Sequence, residues 1–545
     1  MAGPVVVVAE KPKQARRLRE AFKRHHISVD KVVAASGHIY ELRPVGEWPY
    51  RQFRWVCHRP GVEKRIKKQL AGLKPAEVVI ATDYDREGSA VGYNILRFTF
   101  MDGDCGELLE RATRMHFSTL TLRELAESFR RRFPLVQDRL VYAGLARAWL
   151  DAAFGFNLSV ALQKLMGKRW LSMGRVQGPT LMLVYKRWQE RENFRPEQYW
   201  FVQARLEARG VEFTAEARLK EKIMPPEGVD EAEVVAVDEK PKERFLAPFN
   251  LEDLQAEAAR LLNMRPYTTQ TIAQKLYMCA LVSYPRTDSQ RFRGDSTWVL
   301  NLLSHVYPIA RRLVGSKPHG GAKDDPAHPC IYPTGLPEPK HRLNDRELAL
   351  WHLIAKRFLA AHMPPLRYYA VHAKVRLCEG LVVEAGGWHV LEPGFAGWYP
   401  IRWRQAMPRL AEGDKVKVLG VHGEWRMTQP PPQYTQAMLV KRLAQLGIGT
   451  KSTRAPTISK LIRRHYLRER RGRIGINPLG RQVVELVSRK YPDIVSPDLT
   501  RQMETWLDEI ARGKLDWRWV KEKAIETSVA IAEQLAAEQP PNEKK

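Results

Sequence analysis

The 545-residue sequence predicts a multidomain chain that combines an α/β domain with helical domains and strand-rich segments. Three observations carry this. Two apolar strands early in the chain each pass through a polar loop directly into a helix, the pattern of a parallel sheet in an α/β fold. Two later stretches, centred on YWFVQARL and YYAVHAKVRL, alternate apolar and polar residues as half-buried antiparallel strands do. Between and after them, apolar residues recur at helical spacing.

In chain order, Val5 to Ala9 is the first strand, and Ala15, Leu18 and Phe22 at i, i+3 and i+7 mark the helix after it. A second buried strand, Val78 to Thr82, leads into DYDREGSAVGYNILRF, again a loop and a helix. From Asp138 to Glu192 the pattern is helical, with a glycine-containing break at LSMGRVQGPTL. Residues 199–245 read as antiparallel strands. Helices return at PFNLEDLQAEAARLL, where Asn250 can cap and Glu252 and Asp253 fill the first turn, and they continue to about Met363. Strands resume at YYAVHAKVRL, VVEAGGWHVL and KVKVLGVHG. From Gln433 the chain is helical up to a tail expected to be disordered. The expected domains are 1–145 (α/β), 146–198 (helical), 199–248 (strand-rich), 249–364 (helical), 365–432 (strand-rich) and 433–545 (helical plus tail). If the two strand-rich segments pair, the chain leaves one domain, builds another and comes back, which is a way to string a hinged gate.

Lys and Arg total 89 against 61 Asp and Glu, a net charge of +28. A chain so basic is expected to meet a polyanion, although a solvated Arg-rich surface gives the same sum. No apolar run is long enough for a membrane span, and no basic leader precedes the first apolar run, so a cytoplasmic location is expected. The five cysteines, Cys57, Cys105, Cys279, Cys330 and Cys378, are odd in number and widely spaced. They form neither a disulfide framework nor a zinc site, which fits a reducing compartment.

Two features point to chemistry on phosphates. SYPRTDS, Ser283 to Ser289, sets Tyr284 two residues before Arg286. A phenol with a pKa of about 10 is a poor nucleophile at neutral pH. A nearby guanidinium favours phenolate and neutralises a phosphate under attack. Upstream, Asp83, Asp85 and Glu87 alternate at i, i+2 and i+4 and project to one side if the strand conformation persists. With Glu10 at the end of the first strand, they offer hard oxygen ligands at the C-terminal edge of a parallel sheet, a set suited to Mg²⁺. Each feature alone also reads as an ordinary turn or a solvated loop. GIGTKST, Gly447 to Thr453, lacks the spacing of a nucleotide-binding loop. It reads as a turn into a helix whose N-terminal amides, with Lys451, Ser452, Thr453 and Arg454, are suited to holding phosphates, or simply as a helix start.

A Glu ending the first strand, followed by Asp-x-Asp-x-Glu ending a later one, resembles the Toprim domain. The whole assembly resembles a type IA DNA topoisomerase in family order from about Val5 to Gly513. AEKP looks like the first Toprim motif and puts Lys11 near the scissile region. SGHIYEL resembles the Gly-His motif and carries His38. LSMGRVQGPTL puts Arg175 and Gln177 beside the cleaved strand, and AHPCIYPTG carries His328 toward the tyrosine. Val160 stands where related sequences usually carry Arg, and Met278, Cys279 and Ala280 replace the usual Glu-x-Gly. Tetracysteine zinc modules are absent, which resembles a minimal archaeal topoisomerase III-like core.

The resemblance implies a toroidal core of Toprim domain, helical domains and strand-rich arch. It implies single-strand cleavage by Tyr284 through a 5′-phosphotyrosine, with Arg286, Glu10 and Lys11 assisting and Mg²⁺ held by Glu10, Asp83, Asp85 and Glu87. DNA, chiefly single-stranded or underwound, is the implied partner of a nucleoid-associated monomer, with a helicase partner left open. A Toprim primase or nuclease would use the acidic site without a tyrosine. A non-enzymatic single-strand binder would account for the charge but not for the acidic residues.

Overall fold

The computed structural model describes residues 3–100 and 106–537. Cys105 and the tail expected to be disordered lie outside the described residues. The N-terminal α/β unit is a five-stranded sheet in the order Lys31–Ala34, Val5–Ala9, Glu77–Ala81, Thr113–Arg114, Phe133–Pro134. The first four strands are parallel and the last is antiparallel. The two longest-buried strands sit side by side in the middle, in the register Ala9↔Ala81, so Glu10 and Asp83 leave the same edge of the sheet. Apart from Glu77 at its start, both strands are apolar because both faces of the sheet are covered.

The two strand-rich segments do pair. Their six long strands close a barrel in the order Glu231–Arg244, Leu366–Cys378, Leu381–Glu392, Val211–Leu219, Gln198–Ala208, Lys415–Met427. Inward residues such as Val202, Ala204 and Leu206 alternate with exposed ones, as the sequence pattern requires. The strands Glu231–Arg244 and Leu366–Cys378 pair from Glu233↔Arg376 to Arg244↔Leu366. The chain between them, which carries Tyr284, therefore leaves and re-enters the barrel at one point.

That insert is less helical than its periodicity predicts. It contains the helices Leu251–Leu262, Pro266–Met278, Thr297–Leu303 and Asp345–Ala360, but residues 279–344 are otherwise mostly irregular. Prolines at 285, 318, 326, 329 and 333 remove the backbone donors a helix needs. The C-terminal region departs from an all-helical reading as well. A hairpin, Leu467–Arg470 with Arg473–Ile476, interrupts it, turned by Arg471 and Gly472, both at positive φ. Strands of four residues are too short to stand out from helical spacing.

The long helix Arg139–Met166 ties the α/β unit to the C-terminal helices, where it packs against Trp517–Ala536. It also approaches the helix Arg86–Ile95, and Gly144 makes that approach possible: a Cβ there would lie 2.0 Å from the Arg86 carbonyl oxygen. Gly144→Ala should therefore destabilise the chain by about 1–3 kcal/mol through forced separation of these helices. Chemical denaturation measures this, and an unchanged unfolding midpoint would show that the contact is not limiting.

Candidate active site

The acidic segment is built by a loop and a helix cap, not by a continued strand. The strand Glu77–Ala81 stops two residues before Asp83. Asp85 caps the helix Arg86–Ile95 by accepting from the Gly88 N–H at 2.7 Å, and Glu87 lies in the first turn. Gly88 is required, since a Cβ would sit 2.1 Å from the Asp83 carbonyl oxygen. Arg114, fully buried, clamps the loop by donating to the carbonyls of Ile80, Thr82 and Asp83 at 3.1, 2.8 and 2.8 Å. It also pairs with Asp138 at 3.1 Å. Glu10 Oε2 accepts from the Asp83 N–H at 3.3 Å, and Lys11 Nζ lies 2.9 Å from Glu10 and 3.7 Å from Asp83.

Tyr284 comes to this loop from the other side. Its backbone N–H donates to Ser118 O at 2.7 Å, and its hydroxyl donates to Asp85 Oδ2 at 2.5 Å. Arg286 Nη1 lies 3.2 Å from Glu87 and 3.7 Å from Asp85. The nucleophile candidate and the acidic triad are thus in direct contact across two domains. Burial, followed by the charge of Asp85, pushes the Tyr284 phenol well above its ordinary range despite Arg286. The expectation that the guanidinium favours phenolate is outweighed in this closed arrangement. Burial alone would favour neutral Arg286, but the carboxylates of Asp85 and Glu87 keep it charged.

Asp83 is raised to about 7, chiefly by burial and then by Glu10. His38, 3.6 Å away, and Arg286 hold Glu87 well below the usual carboxylate range. Among the described residues, no three His, Cys, Asp or Glu side chains form a group that could hold a metal ion. The four predicted ligands do not project together: Asp85 faces Gly88 and Tyr284, while Lys11 and Arg286 stand among them. The donor set nevertheless fits a hard divalent cation. Four carboxylates face two cations, and the buried Asp83 Oδ2 has no hydrogen-bond partner.

His328 is buried beneath the tyrosine, ring centroids 4.4 Å apart. Its Nε2 donates to Tyr84 O at 2.8 Å and its Nδ1 accepts from Ser118 Oγ at 3.0 Å. With both nitrogens engaged, it braces the tyrosine here and has none left for a phosphate. Arg175, also buried, pairs with Asp151 at 2.7 Å and Glu504 at 2.6 Å, and Ser172 Oγ approaches Gln177 at 3.4 Å. Lys451 is committed to Asp325 and, at 3.4 Å, to Asp288. Ser452 O accepts from Gln270 at 3.1 Å, Thr453 Oγ1 accepts from the Thr450 N–H at 2.8 Å, and Arg454 binds the carbonyls of Ile448 and Gly449.

A cavity of about 760 Å³ joins these parts, lined by Asp85, Glu87, Arg286, His328, Lys451 and Arg454 among others. A second, of about 670 Å³, includes Val160, Arg175, Gln177 and Thr453 in its wall. Sequence reading missed Arg147, Arg501 and Arg512 in the first cavity, and Arg114 and Tyr277 beneath it.

Burial lowers His328 from 6.5 to about 3. Between those values the unfolded chain binds the extra proton, so the stability contributed by neutral His328 is complete above pH 6.5 and is lost as pH falls. The slope is at most about 1.4 kcal/mol per pH unit. His328→Gln should therefore flatten the decline of unfolding free energy between pH 6 and 4, measured by denaturant titration. Equal slopes in the two proteins would contradict the buried neutral imidazole.

Comparison with known proteins agrees with this geometry. A Toprim domain model matches residues 5–120 and a DNA topoisomerase model matches residues 136–522. DNA topoisomerase 1 of Pyrococcus horikoshii is 33% identical over 97% of this chain and 84% of its own length. That of Methanothermobacter thermautotrophicus is 34% identical over 95% and 77%. The full-length topoisomerase I structure from Thermotoga maritima superposes with a TM-score of 0.78 at 28% identity, over 97% of this chain and 90% of that one. No described helix is long and apolar enough to cross a membrane. The sheet, the barrel, the shared cavity and these matches place the chain in the type IA DNA topoisomerase family.

Proposed function

We propose that the chain cleaves one DNA strand with Tyr284, passes a second strand through the break and rejoins the first, without a nucleotide cofactor. The observation that carries this reading is the contact of Tyr284 with Asp85, with Arg286 beside both. A strand entering the cavity brings a phosphodiester to this pair. The Tyr284 oxygen attacks phosphorus, its proton passes to the Asp85 oxygen it touches, and the bond to the 3′ oxygen breaks. Lys11, which Glu10 holds at 2.9 Å, would donate a proton to the departing oxygen. Arg286 neutralises the extra charge of the five-coordinate phosphorus, work typically worth about 10²–10³ in rate.

The products are a 5′-phosphotyrosine and a 3′-hydroxyl. The link conserves the phosphodiester energy, so reversal of the same steps rejoins the strand. Glu10, Asp83, Asp85 and Glu87 would hold Mg²⁺, which when bound neutralises phosphate oxygens and aligns the 3′-hydroxyl. For DNA to pass, the tyrosine-bearing insert must part from the Toprim domain, and its attachment at Arg244↔Leu366 suits a swing about one point. The net result is relaxation of negative supercoils, decatenation, or both, on single-stranded or underwound DNA.

Tyr284→Phe should abolish the denaturant-stable adduct on a labelled single-stranded oligonucleotide while DNA binding persists. Peptide mapping of the wild-type adduct should find Tyr284 joined to the 5′-phosphate. An adduct elsewhere, or through a 3′-phosphate, rejects the assignment. Asp83→Asn with Asp85→Asn should eliminate Mg²⁺-dependent relaxation yet leave single-strand affinity largely intact, because that affinity comes mainly from the +28 charge. Relaxation at the wild-type rate would show that these carboxylates hold no essential metal.

A further inference from the structure

Tyr277 is a second phenol at the closed interface, and no step of the cleavage reaction uses it. It sits in the last turn of the helix Pro266–Met278 and is fully buried. Its O–H donates to Asp83 Oδ1 at 3.2 Å. The same oxygen accepts from Gln14 Nε2 at 3.2 Å, and Gln14 is itself fixed by the Glu10 backbone N–H at 2.8 Å. The Tyr277 ring meets the Tyr284 ring edge to face, with centroids 5.2 Å apart. Two phenols of one domain thus end on two carboxylates of another, Tyr277 on Asp83 and Tyr284 on Asp85.

A phenylalanine would fill the same apolar space, so the hydroxyl is what calls for a role. A buried O–H without an acceptor is costly. Here the acceptor belongs to the N-terminal domain, and the bond exists only while the two domains are together.

Resting on the cleavage reading above, we propose that Tyr277 is a positioning residue. On closure its O–H latches onto Asp83 and its ring backs that of Tyr284, so the acidic loop and the nucleophile come into register together. When the domains part, both groups regain water, so the bond biases the gate towards closed without locking it. A buried hydrogen bond to a carboxylate shifts such an equilibrium by about tenfold.

The Tyr284 backbone N–H, bonded to Ser118 O, is a built-in reporter, because its exchange with solvent requires the domains to separate. Exchange is read by mass spectrometry of the full chain on the peptide Leu281–Ser289, with the helix Leu251–Leu262 and the strand Leu366–Cys378 as controls. In Tyr277→Phe, exchange at Tyr284 should rise about tenfold with the controls unchanged. Asp83→Ala should give the same rise, and the double variant no more than either single one. Asp83→Asn, which keeps an acceptor oxygen, should give a smaller rise. An unchanged Tyr284 amide, additive effects in the double variant, or a rise shared equally by Leu251–Leu262 would each overturn the latch and leave Tyr277 as packing. The cleavage reading stands or falls separately, on whether the wild-type adduct maps to Tyr284.

Discussion

The docking of Tyr284 onto Asp85 is the contact on which the rest of the site depends. It joins groups from two domains: the acidic residues and Lys11 stay with the sheet, while Tyr284 and Arg286 arrive on the insert. Neither half is complete alone. Buried carboxylates are tolerable only when paired, and here Arg286 supplies part of the pairing from across the interface. The incomplete balance is visible at Asp83, which is pushed up to about 7 and leaves one oxygen with no hydrogen bond, only Lys11 at 3.7 Å. An excess of buried negative charge at the C-terminal edge of a parallel sheet is a state that a divalent cation would relieve.

The interface is apolar as well as ionic. One continuous cluster of buried side chains runs from Val7, Phe22 and Phe117 of the α/β unit to Tyr277, Tyr284 and Trp351 of the insert. Closure buries this surface, and the proposed opening has to expose some of it. The barrel gives the motion a fixed support. Because it is closed, it offers no free edge to rearrange, and the paired strands that carry the insert end together. Lys451, bonded to Asp325 and Asp288, fastens the insert to the C-terminal helices on its other side.

Local pattern made the architecture legible. Two apolar strands ending in acidic loops, and two alternating segments that needed each other to close, were visible as periodicity. The proximity of Asp85 to Tyr284 was legible only through motif order, since no spacing in the chain encodes it. What stayed hidden was long-range. Nothing in GIGTKST announces that Lys451 meets Asp288, and nothing in SMGRVQ announces that Arg175 is taken up by Asp151 and Glu504. The geometry of the acidic run was also misjudged, because Asp85 is drawn into a helix cap and the strand does not persist. Tyr277 lay within the segment read for its nucleophile, yet a tyrosine on a helix is ordinary until its hydroxyl is seen to reach another domain.

The most direct test of the account is to hold the interface shut. His116 Nε2 and Ala327 O face each other across it at 2.7 Å, so cysteines introduced at these two positions can be bridged by a short bis-thiol-reactive cross-linker that carries a reducible bond. If the catalytic site is assembled by closure and strand passage requires opening, the cross-linked protein forms the covalent adduct on single-stranded DNA but leaves plasmid linking number unchanged, and reductant restores relaxation. Relaxation by the cross-linked protein at the rate of the uncross-linked one would contradict the account.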